Sequence, residues 1–388
     1  MKRRIKNVCF ITGSRADYDL LNNLIQVFKK KNGIDYNIIV TGSHFSRKHG
    51  YSIKNIIADK HKIYSKINLN FKEFSNVDIA KYTGKAIIKS SKILSNLKPN
   101  LVFLLGDRYE IFSFAVSCLF LNIPIAHIFG GELTQGAFDD TIRHSISKMS
   151  MFHFVSNEKY RKRVIQLGED PKRVFNVGGI SVDNVINSKK LNRSDIEKKL
   201  NFKFLEKNIL ITFHPETLEL QNTVRNFKII LNSLKKIKNT LFIFTYPNAD
   251  TNNTDISKMI EKFVHNNTTI SKSFKNLGRV LYLSILQEVD CILGNSSSGI
   301  LEAPALKTPT INMGERQSGR EMASSIIRCK YNSTNIINSI KKIKSKNFLK
   351  KLISINNPYG NGESSNKIYS IVKKISLPIS NKKIFFDL

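Results

Sequence analysis

Short, continuous apolar runs recur along this chain. Each is closed by a small or polar turn and then followed by apolar residues at helical spacing. Such runs occupy residues 8–11, 36–40, 101–105, 124–129, 152–156 and 174–177, and again 209–213, 241–245, 291–293 and 309–313. A run this short and apolar throughout suits a parallel strand buried on both faces, and the intervening helical periodicity supplies the crossovers. Helices are expected at residues 79–97, 112–121, 157–167, 218–237, 256–264 and 335–343, with an amphipathic tail at 364–375. The pattern breaks at Gly178-Gly179 and starts afresh near residue 209 after a polar helix pair over about 182–200. The expectation is an α/β protein of two Rossmann-like, doubly wound domains, residues 1–178 and 179–361. Ligands of such folds lie at the carboxyl ends of the strands, so a cleft between the two domains is the expected site.

The totals narrow the function. A length of 388 residues accommodates two ordinary domains, and 41% hydrophobic residues suffice for two cores. No apolar run reaches the roughly 18 residues of a membrane span. The basic N-terminus, Met1 to Lys6, precedes an apolar run that stops at Thr12-Gly13-Ser14-Arg15, which reads as a first strand rather than a signal peptide. A cytoplasmic location is expected. Cys9, Cys118, Cys291 and Cys329 are widely separated and form no Cys-x-x-Cys pair, which fits buried free thiols. The net charge of +32, from 62 Lys+Arg against 30 Asp+Glu, is spread along the chain rather than gathered in a patch. It favours an anionic small substrate over nucleic acid. Neither a nucleic-acid partner nor a membrane is expected, and a homo-oligomer, dimer or tetramer, is. With no metal-ligand spacing and no dinucleotide fingerprint, no metal and no cofactor are expected.

The chemistry-bearing residues gather at the ends of the apolar runs. Gly294-Asn295-Ser296-Ser297-Ser298-Gly299 follows one run and leads into a helical pattern with Glu302 near its start. A strand, a small polar turn and a helix together present N–H and hydroxyl donors to an anion, and Glu302 could reach a hydroxyl of a sugar or ribose. Arg15, after the first run, is placed to meet a phosphate. Asp107, in Gly106-Asp107-Arg108-Tyr109-Glu110, and Glu132, in Gly130-Gly131-Glu132, follow two further runs. Asp139 and Arg143 share one face of an expected helix that also holds His144. The loop Thr41-Gly42-Ser43-His44, continued by His49-Gly50-Tyr51, and the turns His214-Pro215-Glu216-Thr217, Tyr246-Pro247-Asn248 and Gly314-Glu315-Arg316-Gln317 complete the set.

Taken in order, these stretches resemble the hydrolysing UDP-N-acetylglucosamine 2-epimerases of sialic acid biosynthesis, and their relatives acting on diacetamido sugars for legionaminic acid. The matching motifs run from Gly13-Ser14-Arg15-Ala16-Asp17-Tyr18, through Ala126-His127-Ile128-Phe129-Gly130-Gly131-Glu132, Asp139-Asp140-Thr141-Ile142-Arg143-His144 and Phe213-His214-Pro215-Glu216-Thr217, to Arg316-Gln317-Ser318-Gly319-Arg320. The resemblance implies a GT-B-like fold in which residues 362–388 return to the first domain. It implies removal of the proton on carbon 2 of a nucleotide-linked 2-acetamido sugar, loss of the nucleoside diphosphate, and hydration of the glycal. It assigns Asp107 and Asp139 to acid–base work, and His214, Ser296, Ser297, Glu302 and Arg316 to the nucleotide. Arg15, His44 and Arg143 join the substrate-binding candidates, and Glu132 the catalytic ones. Some relatives carry an acidic residue at the third position of the His-Ile-x-Gly-Gly motif, where this chain has Phe129. Either Glu132 or Asp139 then takes that role, or the acid–base pair differs in this branch. A glycosyltransferase on the same fold and a non-catalytic binder remain the alternatives at this point.

Overall fold

The apolar runs form two parallel sheets. A computed structural model describes residues 3–47, 51–69, 75–133, 139–215, 220–247, 253–275, 277–380 and 382–388. His49, Gly50, Glu216, Thr217, Asn248 and the start of the expected 218–237 helix lie outside the described residues. The chain divides into one unit of Met1–Asn184 with Tyr359–Leu388, and a second of Val185–Pro358. Gly178-Gly179 is a turn inside the first unit: Gly178 has φ +87°, and Gly179 N donates to Tyr359 O at 2.7 Å.

In the first unit, Asn7–Thr12 lies inside a seven-stranded parallel sheet. Asp35–Val40 and then Ile63–Lys66 flank it on one side; Leu101–Leu105, Ile125–Ile128, Phe152–Val155 and Val174–Asn176 follow on the other. Strand order therefore reverses between Asn7–Thr12 and Leu101–Leu105, which pair directly through Val8 and Leu101. Leu101–Leu105 is buried at every position because helices cover both faces. On one face Arg15–Lys31 contributes Leu21, Leu24, Ile25 and Phe28. Ser14 caps this helix, its Oγ accepting from Asp17 N at 3.2 Å. The C-terminal helix Ser364–Lys374 packs on the same face through Ile368, Tyr369 and Val372, with the Tyr369 ring edge-on to Phe28 at 5.0 Å. Asp183 holds that helix by its N-terminus, accepting from Ser364 N at 2.9 Å and Ser365 N at 2.5 Å. Asn76–Leu97 and Tyr109–Phe120 cover the opposite face, the former opened by a capping box between Ser75 and Asp78.

The second unit repeats the plan with six parallel strands. Lys207–Thr212 is flanked by Thr240–Thr245 and Ser271–Phe274 on one side, and by Cys291–Gly294, Thr310–Met313 and Ile326–Cys329 on the other. Its order reverses between Lys207–Thr212 and Cys291–Gly294. There the backbones approach so closely that a Cβ on Gly294, at φ +147°, would stand 1.9 Å from Thr212 O. All four cysteines are buried and free.

Candidate active site

Each sheet carries its polar chemistry where its strand order reverses, at the carboxyl ends of two adjacent strands. In the first unit, Gly13 to Asp17 follows Asn7–Thr12, and Gly106 to Glu110 follows Leu101–Leu105. Glu110 is wholly buried and its Oε1 accepts from Arg108 Nη2 at 2.9 Å, while Arg108 Nε lies 4.0 Å from Asp17 Oδ2. Gly13 N also donates to Asp17 Oδ2, at 3.2 Å. Burial pushes the Asp17 carboxyl up to about 6, against the pull of Arg108. A side chain on Gly42, at φ +65°, would strike Gly13 O and Glu110 Oε1, so the neighbouring loop can close over this floor only as glycine.

The loop residue His44 is completely buried. Its Nε2 lies 2.9 Å from Thr12 Oγ1 and its Nδ1 2.9 Å from Ser52 Oγ, and burial, aided by Arg108, lowers its pKa to about 4. Both ring nitrogens are thus engaged inside the fold. Arg15, the first residue of Arg15–Lys31, is exposed.

Asp139 and Asp140 open the helix Asp139–Met149, and Arg143 lies one turn on. Arg143 is buried and draws the surrounding segments together. It forms an ion pair with Asp107, and its Nη1 donates to Asp140 Oδ1 at 2.9 Å and to Glu132 O at 2.6 Å. Half-buried Asp139 has its carboxyl pushed up by burial and then by the nearby charge of Asp107, against Arg143. The Glu132 carboxylate is buried and its Oε1 accepts from Ser156 Oγ at 2.9 Å. His127, under the same strand ends, lies 2.8 Å from Gly106 O and 3.0 Å from Ser147 Oγ, and burial lowers its pKa to about 3. Phe129 adopts φ +68°, sparsely populated for an aromatic residue, and packs against the core.

In the second unit the organising residue is Asn295. Its Oδ1 accepts from His214 N at 2.8 Å and its Nδ2 donates to His214 O at 2.9 Å, which locks the turn after Lys207–Thr212 to the turn after Cys291–Gly294. Asn295 O in turn accepts from Arg316 Nη1 at 3.0 Å and Gln317 Nε2 at 2.9 Å. His214 is buried, and burial together with Arg316 lowers its pKa to about 4. The helix after the serines is shorter than its sequence pattern suggests. It is the single turn Ser298–Leu301, followed by a 3-10 turn at Ala303–Leu306, because Pro304 lacks the N–H needed to continue it. Glu302 consequently closes the α-helical turn and opens the 3-10 turn. It accepts from Ser298 Oγ at 2.5 Å, which receives the Tyr282 hydroxyl at 2.8 Å. Ser296 Oγ accepts from Ser298 N at 3.3 Å, whereas Ser297, at the N-cap, makes no side-chain capping bond.

The structure therefore brings Asp107, Glu132, Asp139 and Arg143 into one cluster in the first unit, and His214, Ser296, Ser297, Glu302 and Arg316 around the Asn295 junction in the second. His44 stands apart beside Thr12, and Arg15 on the surface. Sequence reasoning quoted but did not select Asp17, Arg108, Glu110, Asn295 and Gln317. Their signal was position: each follows a buried strand, and all but Gln317 follow a strand at a point of order reversal. Among the described residues, no group of three or more His, Cys, Asp or Glu side chains is arranged to hold a metal ion.

Comparison with known proteins adds kinship. The profile of the family described as UDP-N-acetylglucosamine 2-epimerase matches residues 26–373. The Campylobacter jejuni protein named GDP/UDP-N,N'-diacetylbacillosamine 2-epimerase (hydrolyzing) is 41% identical over 384 residues, covering 99% of each chain. Polysialic acid biosynthesis protein P7 of Escherichia coli is 34% identical over 99% of this chain and 98% of its own. The solved UDP-GlcNAc 2-epimerase of Neisseria meningitidis, bound to UDP-GlcNAc, superposes with a TM-score of 0.76 at 19% identity, over 95% of this chain and 100% of that one. That likeness shows the fold: two Rossmann-like domains.

Proposed function

The chain belongs to the UDP-N-acetylglucosamine 2-epimerase family, and on that premise we propose that it is a hydrolysing 2-epimerase of a UDP-linked 2-acetamido sugar, serving sialic-type sugar biosynthesis. The observation that carries this reading is the pair Asp107 and Asp139, two interacting carboxylates tied to one buried arginine at the carboxyl edge of the first sheet. Such a pair, one carboxyl held by the arginine and the other pushed up by burial and by its neighbour's charge, suits a reaction that removes one proton and returns another.

The steps follow from the chemistry. A carboxylate takes the proton on carbon 2. The carbon 1 to oxygen bond breaks, and its electrons leave with UDP. Water then adds across the glycal, hydroxyl to carbon 1 and a proton to carbon 2 from the opposite face, which releases the free 2-epimer. In this reading Asp107, oriented by Arg143, is the base. Asp139, whose carboxyl is pushed up by burial and by Asp107, is assigned to return the proton to carbon 2. Buried Glu132 supports the cluster through Ser156 and its own carbonyl. Around the junction of His214 and Asn295, the hydroxyls of Ser296 and Ser297, the Glu302 carboxylate and the Arg316 guanidinium are assigned to the nucleoside diphosphate. Arg15 is assigned to a phosphate. His44, with both ring nitrogens occupied, supports the loop instead of touching substrate.

The activity for which the C. jejuni relative is named favours N,N'-diacetylbacillosamine as the sugar. The description of the family favours N-acetylglucosamine as the second reading. NMR of the products from UDP- and GDP-linked forms of both sugars separates them. Turnover of the diacetamido sugar to its free 2-epimer plus UDP is the expected result. Turnover of UDP-N-acetylglucosamine alone selects the second reading, and absence of any free 2-epimer rejects both.

A further inference from the structure

The end of the chain returns to the helix that carries Asp139 and Arg143. Lys383 Nζ donates to Lys148 O at 2.6 Å and Ser150 O at 2.7 Å, both at the C-terminal end of Asp139–Met149. The last carbonyls of a helix have no partner within it, and that end carries partial negative charge. An ammonium there supplies both the missing donors and the complementary charge. Lys383 Nζ also lies 2.6 Å from Glu169 Oε2. Glu169 is buried and gathers two more partners, Lys148 Nζ at 2.8 Å and His153 Nε2 at 2.9 Å. The residues after Lys383 continue the contact. Phe386 N donates to Gly168 O at 3.0 Å, and Phe385 lies so close over Gly168 that a Cβ there would meet its ring at 2.3 Å. Lys148 Nζ sits 5.2 Å from the centre of the Phe385 ring.

At its other end the same helix is fastened by Arg143 to Asp107 and to the carbonyl of Glu132. We infer that Lys383 is a positioning residue for this helix: it pins the C-terminal end so that Asp139 and Arg143 keep their register with Asp107. The inference rests on the roles proposed above for Asp139 and Arg143. It also accounts for a lysine near the end of the chain whose ammonium is drawn onto a buried carboxylate that already has a lysine partner.

The test compares full-length wild type with Lys383→Met and Lys383→Arg. Methionine keeps the stem without the ammonium, and Glu169 retains Lys148 and His153, so the fold survives. The first readout is hydrogen exchange on the free protein. Lys383→Met raises exchange in residues 143–149 by about tenfold or more, the scale of losing charge-assisted bonds, and leaves the sheet strands unchanged. The second is turnover of the nucleotide sugar. The maximal rate falls by about tenfold with KM little changed, as expected when catalytic groups lose their alignment, and Lys383→Arg restores part of both effects. Unchanged exchange in the helix overturns the inference. So does a rise shared across the whole first unit, or a local rise with an unaltered rate. Failure of the proposed reaction shows separately, as absence of epimer from wild type, while the exchange comparison still decides whether Lys383 pins the helix.

Discussion

At the scale of single residues, burial sets the direction of the proton-affinity shift for two carboxylates and three imidazoles around the two sites. Asp17 and Asp139 are both pushed upward with desolvation as the leading cause, while His44, His127 and His214 are pushed downward for the same reason. For the reaction, Asp107→Asn and Asp139→Asn should each lower the rate constant by about 10²-fold or more with UDP affinity little changed, the usual scale for a general acid or base. Glu132→Gln is the informative companion. A comparable loss assigns Glu132 the acid–base role vacated at Phe129, and a near-normal rate leaves it a supporting residue, as its bond to Ser156 favours. Rates measured with saturating substrate, alongside calorimetry with UDP, distinguish these outcomes. For stability, Asp17 makes a signed prediction. Its folded value, about 6, exceeds its ordinary 3.8, so the native state holds the proton more tightly than the unfolded chain. The stability it contributes is fully present below pH 3.8 and is lost as pH rises to about 6. Asp17→Asn should remove that decline, on the order of 2–3 kcal/mol, in urea unfolding measured across the window. Parallel pH profiles for the two proteins would contradict it.

At the scale of elements, the central strands and the edge strand Val174–Asn176 were legible, and the other three edges of the two parallel sheets were not. Leu101–Leu105 and Thr240–Thr245 have neighbours on both sides and helices on both faces, so the first is apolar throughout and the second from Leu241 to Phe244, and both can be recognised from sequence. The edge strands Ile63–Lys66, Ser271–Phe274 and Ile326–Cys329 have one neighbour each and carry lysine, serine or arginine, and sequence reasoning missed all three. The candidate site followed the same logic. Asp107 and the serine turn announced themselves by following buried strands. The bridging role of Asn295 depends on which two strands lie side by side, and no local pattern encodes that. The helix after the serines was overestimated because Ile300 to Leu306 has helical spacing while Pro304 interrupts it. Ser297 tests this turn. Its hydroxyl performs no capping, so Ser297→Ala should leave the melting temperature unchanged and weaken UDP binding by about 1.5–3 kcal/mol, the loss expected for a hydrogen bond to a charged group. Unaltered UDP affinity by calorimetry would remove Ser297 from the nucleotide site.

At the scale of the whole molecule, two sheets with the same arrangement carry different chemistry at equivalent places. In the first unit the strand-order reversal gathers carboxylates around arginines; in the second it gathers hydroxyls, amides, an imidazole and a guanidinium. Acidic groups suit proton transfer, and donors suit an anionic leaving group. The net charge of +32 adds a general attraction for a nucleoside diphosphate. Among the described residues, no helix is long and apolar enough to cross a membrane. The account turns on one claim, that carbon 2 of the sugar is deprotonated while the nucleoside diphosphate departs and is reprotonated from solvent. Turnover in D₂O, followed by NMR of the released sugar, addresses it directly. The account predicts deuterium on carbon 2 of a product with inverted configuration at that centre. Release of a sugar that retains its original hydrogen and configuration at carbon 2 would show simple cleavage of the carbon 1 to oxygen bond, and would contradict it.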